Sequence, residues 1–216
     1  MSASNQEPRV AAFDFDGTLT RGDTLLPFLW RYLGSAKFLW VLVQCSPWLA
    51  LYVLRLLPNH VAKARLLRLS FAHLPVATAQ TWADDFANNT LPGLLRPWGL
   101  ARLQEHQAQG DVCVLVSASP DLYLQAVAQH LGVALLCTQL EVIDGQYSGN
   151  MSANCHGPEK VRRLQAWLQD QGLQGAHLTA YGDTPAAICP CSNSHMWRFT
   201  ESSLGFKVTS GPCHRA

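Results

Sequence analysis

Between Asp23 and Asp84 this chain of 216 residues carries no acidic side chain. The same stretch holds Arg31, Lys37, Arg55, Lys63, Arg65 and Arg68, a local charge of +6 against +1 for the whole chain, so the remainder is net acidic. A solvated helical face normally mixes signs, and this one-sided stretch points to an anionic surface as partner. The small overall charge gives no global sign of nucleic acid. A paired cysteine framework is also missing. The seven thiols are an odd number, with Cys113 in an apolar run and Cys45 in an uncharged one. That excludes a disulfide-stapled secreted fold and fits thiols used as small core residues in a reducing compartment. Met1 to Arg9 is polar and leads directly into an apolar run, so no signal peptide is expected and the expected location is cytoplasmic. Repeats and low-complexity tracts are absent, and 48% hydrophobic residues exclude a disordered chain.

Phe38 to Leu54 is uncharged and mostly apolar. It is shorter than the ~20 residues of a spanning helix and contains Pro47, a helix breaker. The expectation is two short helices that dip into a membrane interface. Trp30, Trp40, Trp48 and Tyr52 suit the headgroup level, with Arg31, Lys37, Arg55 and Lys63 available to anionic lipid. Peripheral association with the inner face of the cell membrane follows; the alternative is a hydrophobic helical hairpin buried on its own domain.

Val10 to Phe13 reads as a short buried strand. Ala62 to Ala108 reads helical, with Thr78 as a cap of one helix and Gly110 ending another. Asp111 to Val116 has the composition of a central parallel strand. Pro120 to Leu131 is helical and stops at Gly132. Ala134 to Cys137 is a strand, and Leu140 to Tyr147 a hairpin turning at Asp144-Gly145. Pro158 opens a helix over Glu159 to Gln169, and Ala176 to Tyr181 is a further strand. This order predicts an α/β fold: a Rossmann-like parallel sheet core with an inserted α-helical cap. The expected division is residues 1–20 and 93–216 for the core and 21–92 for the cap.

Asp14-Phe15-Asp16-Gly17-Thr18-Leu19-Thr20 stands where the first strand ends. An open α/β sheet places its ligand at the carboxyl ends of its strands. There one carboxylate can attack an electrophile while the other holds or delivers a proton. Together they can hold a hard divalent cation. As a bare dipeptide, Asp-Gly is also a common turn. Ser117 follows the strand ending at Val116, where a hydroxyl and backbone N–H groups at a helix start make an anion site. Lys160 lies in a first helical turn, unfavourable for a cation unless it is aimed at an anion. Asp183 follows the strand ending at Tyr181-Gly182. Singly, such a Ser or Lys is usually structural; their order and shared strand-end placement make them a set.

With these features the chain resembles the haloacid dehalogenase-like hydrolase superfamily, subfamily IB. Phosphoserine phosphatases and phosphatidylglycerophosphatase C-type enzymes belong to it. The resemblance runs over nearly the whole chain through Asp14-Phe15-Asp16-Gly17-Thr18, Ser117-Ala118-Ser119-Pro120, Lys160 and Gly182-Asp183-Thr184. It implies Asp14 as nucleophile, forming an aspartyl-phosphate, and Asp16 as acid and then base. It implies Mg²⁺ on Asp14, the Asp16 carbonyl and Asp183, with Ser117, Ala118 and Lys160 on the phosphoryl oxygens. The acid at Asp16 favours phosphatase over dehalogenase chemistry. Phosphoryl transfer needs mainly positioning and charge neutralisation, and bare carboxylates would repel the substrate without Mg²⁺ and Lys160.

One departure falls late. The family carries a second acid four residues after the position of Asp183, where this chain has Ala187. Ile188-Cys189-Pro190-Cys191-Ser192 then replaces an apolar run, and a one-base shift of codons for Asp-Leu-Pro-Leu-Leu yields this pentapeptide. A frameshift is the expectation. Zinc on Cys189, Cys191, His195 and Cys213 is disfavoured because Cys-x-Cys is not the usual ligand spacing. The sequence leads to a Mg²⁺-dependent phosphomonoester phosphatase, with the apolar, basic cap favouring a lipid phosphate such as phosphatidylglycerophosphate. The alternatives are a phosphoserine-type small-molecule phosphatase, a phosphotransferase, and a catalytically impaired phosphate- and membrane-binding homologue.

Overall fold

The computed structural model describes residues 8–182 and the backbone of residues 197–202 and 205–210. Strand β1 (Arg9–Phe13) is the centre of the sheet. It pairs in parallel with β2 (Val112–Pro120) on one side and with β6 (His177–Gly182) on the other. Beyond β2 lies β3 (Ala134–Thr138), also parallel. Beyond β6 the antiparallel pair β8 (Gly205–Ser210) and β7 (Trp197–Ser202) completes the order β3-β2-β1-β6-β8-β7. The chain moves outward from β1 through β2 to β3 and then returns to β6. The strand order therefore reverses between β1 and β6, and their carboxyl ends form the crevice that receives a ligand in such sheets.

Both faces of the parallel strands are covered, and the sequence alternates accordingly. Val10, Ala12, Val114, Val116, Leu178 and Ala180 pack on one face with Leu164 of α8 (Pro158–Asp170). Ala11, Phe13, Cys113 and Leu115 pack on the other with Leu103 of α6 (Pro97–Ala108) and Leu122 of α7 (Asp121–Leu131). A continuous apolar strand follows from burial on both sides. The expected stop at Gly132 is a left-handed residue, φ 67°. The expected hairpin is β4 (Leu140–Ile143) and β5 (Gln146–Met151), turning at Asp144 (φ 50°) and Gly145 (φ 74°). Cys45, Cys113, Cys137 and Cys155 are buried free thiols.

Five helices stand between β1 and α6: α1 (Leu25–Leu33), α2 (Ser35–Val53), α3 (Asn59–Phe71), α4 (Val76–Asp85) and the short α5 (Leu91–Leu94). The two chain crossings into this layer are stitched together, Arg21 N to Leu94 O at 3.0 Å and Arg96 N to Leu19 O at 2.8 Å. The layer shares one apolar cluster with the sheet. Phe28, Leu67, Phe71 and Phe86 share this cluster with Tyr123 of α7, whose ring stacks on Phe28 at 4.6 Å and meets Phe86 edge-on. A second seam runs along the hairpin: His73 N to Tyr147 O, Tyr147 N to Leu74 O, and Val76 N to Gly145 O, at 2.8 to 3.0 Å.

Three expectations are corrected here. The run around Pro47 is one 19-residue helix, not two. Proline removes the N–H that would bond the Val43 carbonyl, and the Ser46 hydroxyl supplies the missing donor at 2.7 Å. Thr78 does not cap α4: the helix starts at Val76, whose N–H is taken by the hairpin turn. Arg31 does not face outward unpaired. Its guanidinium pairs with Asp85 at 3.1 Å. Along α2, Phe38, Val41 and Cys45 form the inward stripe, while Leu39, Trp40, Val43, Leu51, Tyr52 and Val53 are exposed. Ten of the thirteen exposed large hydrophobic side chains among the described residues fall between Leu26 and Leu56.

Candidate active site

Asp14 is the first residue beyond β1, and its N–H bonds the Tyr181 carbonyl of β6 at 2.9 Å, which places it in the crevice. One carboxylate oxygen accepts from Phe15 N at 2.7 Å and meets Lys160 Nζ at 2.7 Å. Asp14 is 7% exposed and Lys160 3%. A buried pair of this kind orients both groups, and removing one partner leaves an uncompensated charge at a cost of ~3–5 kcal/mol. The neighbouring acid does not compete for Lys160, because Glu159 is held by Arg162 and Arg163 at 2.7 and 2.8 Å.

The chain after Asp14 turns sharply. Asp16 is extended (ψ 126°) and Gly17 takes φ 78°, a conformation that favours glycine. This turn swings Asp16 under the helical layer. Its carboxylate accepts from Thr24 N at 2.9 Å, Thr24 Oγ1 at 2.7 Å and Ser119 Oγ at 2.6 Å. Burial pushes the Asp16 carboxyl up from its ordinary range, while the Ser119 and Thr24 hydroxyls pull it back. Thr24 stands at the N-cap of α1 but makes no side-chain capping bond; Asp23 bonds Leu26 N at 3.1 Å instead. Thr24 Oγ1 also lies 2.9 Å from Tyr123 OH, which ties Asp16 to the aromatic cluster below the layer.

Ser117 is fully buried within β2, its hydroxyl accepting from Ser119 N at 3.0 Å. The strand bulges between Ser117 and Pro120. Within the bulge the Ala118 carbonyl accepts from Thr138 Oγ1 at 2.6 Å and from Lys63 Nζ. Lys63 also bonds Asn154 Oδ1 at 3.0 Å. This corrects the reading of Lys63 as a lipid-facing residue: it reaches inward from α3. Burial lowers its ammonium to about 8, against the pull of Asp16 and Asp23.

Asp14, Asp16, Ser117, Ala118 and Lys160, read from sequence, thus meet at one crevice. Asp183, Ala187, Ile188 to Ser192 and the residues of the disfavoured zinc site lie outside the described residues. Thr24, Ser119, Thr138, Asn154 and inward-facing Lys63 were not singled out as site residues. For Ser119 the signal was present in Ser117-Ala118-Ser119-Pro120, and for Thr24 in its place before an apolar helix; the other three reach the crevice only through tertiary contacts.

Oxygen donors dominate the crevice, the donor chemistry of a hard cation such as Mg²⁺. Among the described residues no three His, Cys, Asp or Glu side chains gather as a metal cluster. Asp14 and Asp16 therefore fit as part of a set that Asp183 would complete.

A family model described as haloacid dehalogenase-like hydrolase matches residues 11–186. Protein CicA of Caulobacter vibrioides is 36% identical over 183 residues, which cover 82% of this chain and 81% of CicA. A crystal structure of a protein of unknown function from Bordetella pertussis Tohama I aligns with a TM-score of 0.71 at 25% identity over 85% of each chain. A substrate-bound phosphoserine phosphatase complex shares the fold, with a TM-score of 0.54 at 16% identity over 78% of this chain and 74% of that one. With the match spanning the parallel strands, the helical layer and the crevice, the chain belongs to the haloacid dehalogenase-like hydrolase family.

Proposed function

We propose that this phosphoric monoester hydrolase removes the terminal phosphate of a membrane lipid through an aspartyl-phosphate on Asp14. The observation that carries the reading is one juxtaposition. A buried Asp14–Lys160 pair and a tethered Asp16 lie beneath a helical layer whose outer face is apolar.

Asp14 has the placement of a nucleophile: Phe15 N and Lys160 fix one carboxylate oxygen, which sets the direction of the other. Lys160 and the Ser117 hydroxyl would hold phosphoryl oxygens, and Lys160 would offset the charge that repels a phosphate dianion. Asp16, with its proton affinity raised by burial, suits delivery of a proton to the leaving alkoxide and then removal of one from water. Thr24 and Ser119 keep that carboxyl oriented. Asp14, the Asp16 carbonyl and Asp183 would hold Mg²⁺, which when bound neutralises charge on the transferring phosphoryl group. The same oxygens would serve transfer to an acceptor other than water.

The lipid reading rests on α2. Its inward stripe packs on the domain while its other apolar side chains are exposed, which supports a helix lying along a bilayer surface. Cytoplasmic protein held peripherally on the inner face of the cell membrane is the location this supports. The impaired-homologue reading is favoured by Ala187 alone. One assay decides among them: Mg²⁺-dependent phosphate release from phosphatidylglycerophosphate and from phosphoserine, with and without anionic liposomes. Faster release from the lipid is expected. Preference for phosphoserine would overturn the lipid substrate, and no release from any monoester would overturn catalysis.

A further inference from the structure

A groove of about 670 Å³ opens between α2, α3 and β5, beside the crevice. Trp48, His60, Arg65, Arg68, Asn150 and Asn154 are among its walls, and no acid lines it. Val61, Ala64, Arg65 and Arg68 are spaced i, i+3, i+4 and i+7, so one face of α3 is given to this groove. Arg65 lies over the Trp48 ring, 4.8 Å from its centroid, and its Nε is buried with no hydrogen-bond partner. Arg9, Arg31, Arg102, Arg162 and Arg163 are ion-paired, whereas Arg65 and Arg68, like Arg21, Arg55 and Arg96, have no such pair among the described residues. A buried N–H left unmet is costly, and an acceptor in the groove would relieve that cost.

Resting on the lipid-phosphate reading above, we propose that this groove binds a second anion of the substrate, a phosphodiester that does not react. Groove and crevice share a wall. Asn154 lines the groove, and its Oδ1 takes Lys63 and Thr138 at 3.0 and 3.1 Å. Both of those side chains hold the Ala118 carbonyl, one residue from Ser117. Two guanidinium groups present forks that match the paired oxygens of a phosphodiester. The volume is that of a site for a whole small ligand, more than a lone carboxylate fills. Trp48 belongs to α2, so acyl chains attached beyond the diester would leave toward the apolar outer face.

The test uses the full chain and three substrates with alkyl leaving groups: glycerol phosphate, water-soluble glycerophosphoglycerophosphate, and its diacyl form in vesicles. The second exceeds glycerol phosphate in kcat/KM by about tenfold or more if the diester is bound, and Arg65→Gln with Arg68→Gln brings the ratio near one. Glycerophosphoglycerol, which has no monoester, binds the wild type in calorimetry and binds Arg65→Gln about tenfold more weakly, a readout independent of turnover. Equal rates on both soluble substrates without calorimetric binding overturn the proposal. If the diacyl form alone is then preferred, the acyl chains carry recognition and the lipid reading survives without the groove. If glycerol phosphate and both other esters release no phosphate, the phosphatase reading falls, and the calorimetric result still decides the groove.

Discussion

At the end of β1, Lys160 and Asp14 stand 2.7 Å apart under a few per cent exposure, and Asp16 is held by three donors. On the outer face of α2 the side chains are apolar and exposed, and the flanking Lys37 and Arg55 have no ion-pair partner among the described residues. The two regions spend charge differently. The crevice uses few charges, each buried and oriented, where a low dielectric makes every contact strong. The helical layer distributes its six cations over four tasks. Arg31 pairs with Asp85, Lys63 reaches into the crevice, Arg65 and Arg68 line the groove, and only Lys37 and Arg55 remain for a surface. A run of one sign in the sequence is therefore not one patch in space: α3 alone sends Lys63 to the crevice and Arg65 and Arg68 to the groove.

The sharpest separation of the two regions is Asp14→Asn. Turnover is expected to fall roughly 10⁴-fold or more, because an amide is a poor nucleophile. Vesicle binding by the same preparation should be unchanged. Phosphate release and liposome flotation on one sample read both, and residual turnover near wild type would remove Asp14 from the chemistry.

Next in size is Asp16→Asn, with an expected loss of 10²- to 10⁴-fold, on the order of general acid–base assistance. Ser119→Ala and Thr24→Val, which only orient that carboxyl, should each cost less, about tenfold in kcat. A burst of phosphoenzyme with a good leaving group should persist in Asp16→Asn, because attack by Asp14 does not need Asp16 to protonate an activated alcohol. Quench-flow measurement checks this; a lost burst would place Asp16 in the attack itself.

Much of this was legible beforehand, for local reasons. Val112 to Val116 reads as a central strand because both its faces are buried from Cys113 onward, and Asp144-Gly145 reads as a turn because both residues take positive φ. Asp14 and Asp16 announce themselves by adjacency at a strand end. What escaped depends on contacts between distant segments. Ser46 repairs the helix across Pro47 through a side chain that sequence pattern does not weigh. The start of α4 is set by the Gly145 carbonyl, some seventy residues away in the chain. Lys63 looks like any other cation of its helix until Ala118 and Asn154 are brought to it.

Lys63 supplies the third prediction. Its folded pKa of about 8 is below the 10.5 of the free side chain, so the unfolded chain binds more protons between those values. Stability should therefore rise with pH from about 8 to 10.5, and below 8 the full cost of burying the charge is present. Substrate affinity should move the other way. As the ammonium is lost above about pH 8, KM for a phosphomonoester climbs, by up to about tenfold, the size of one close charge pair. In Lys63→Met that climb should be absent. Parallel KM profiles in the two proteins would take Lys63 out of substrate binding.

A fourth prediction tests the seat of α3. Gly149 has φ 87°, and a Cβ there would lie 2.9 Å from Arg68 Cγ and 3.2 Å from Arg68 Cα. Gly149→Ala should cost on the order of 1–3 kcal/mol through backbone strain and displacement of the helix. Because α3 carries Lys63, Arg65 and Arg68, KM should rise more than kcat falls. Thermal unfolding and steady-state kinetics measure the two effects.

The smallest expected effect concerns the surface. Lys37→Gln and Arg55→Gln should each weaken binding to anionic vesicles by about 1 kcal/mol at low salt, the contribution of one cation near such a surface. That contribution is screened over ~10 Å at 0.1 M salt, so the difference from wild type should shrink as salt rises while apolar binding persists. Arg31→Gln makes the comparison strict. Arg31 is already neutralised by Asp85 at 3.1 Å, so its loss should change vesicle binding far less than the loss of either outward cation, although all three lie in the same acid-free stretch. Replacing Trp40 and Val43 with Gln should weaken binding at every salt concentration, since both are exposed and their contribution is buried apolar area. Sedimentation with vesicles of fixed composition reads all of these. If Arg31→Gln weakens binding as much as Lys37→Gln, the ion pair with Asp85 does not decide which cations face lipid. If wild type stays in the supernatant at low salt, the apolar face of α2 serves something other than a bilayer, and the soluble phosphomonoester becomes the better substrate.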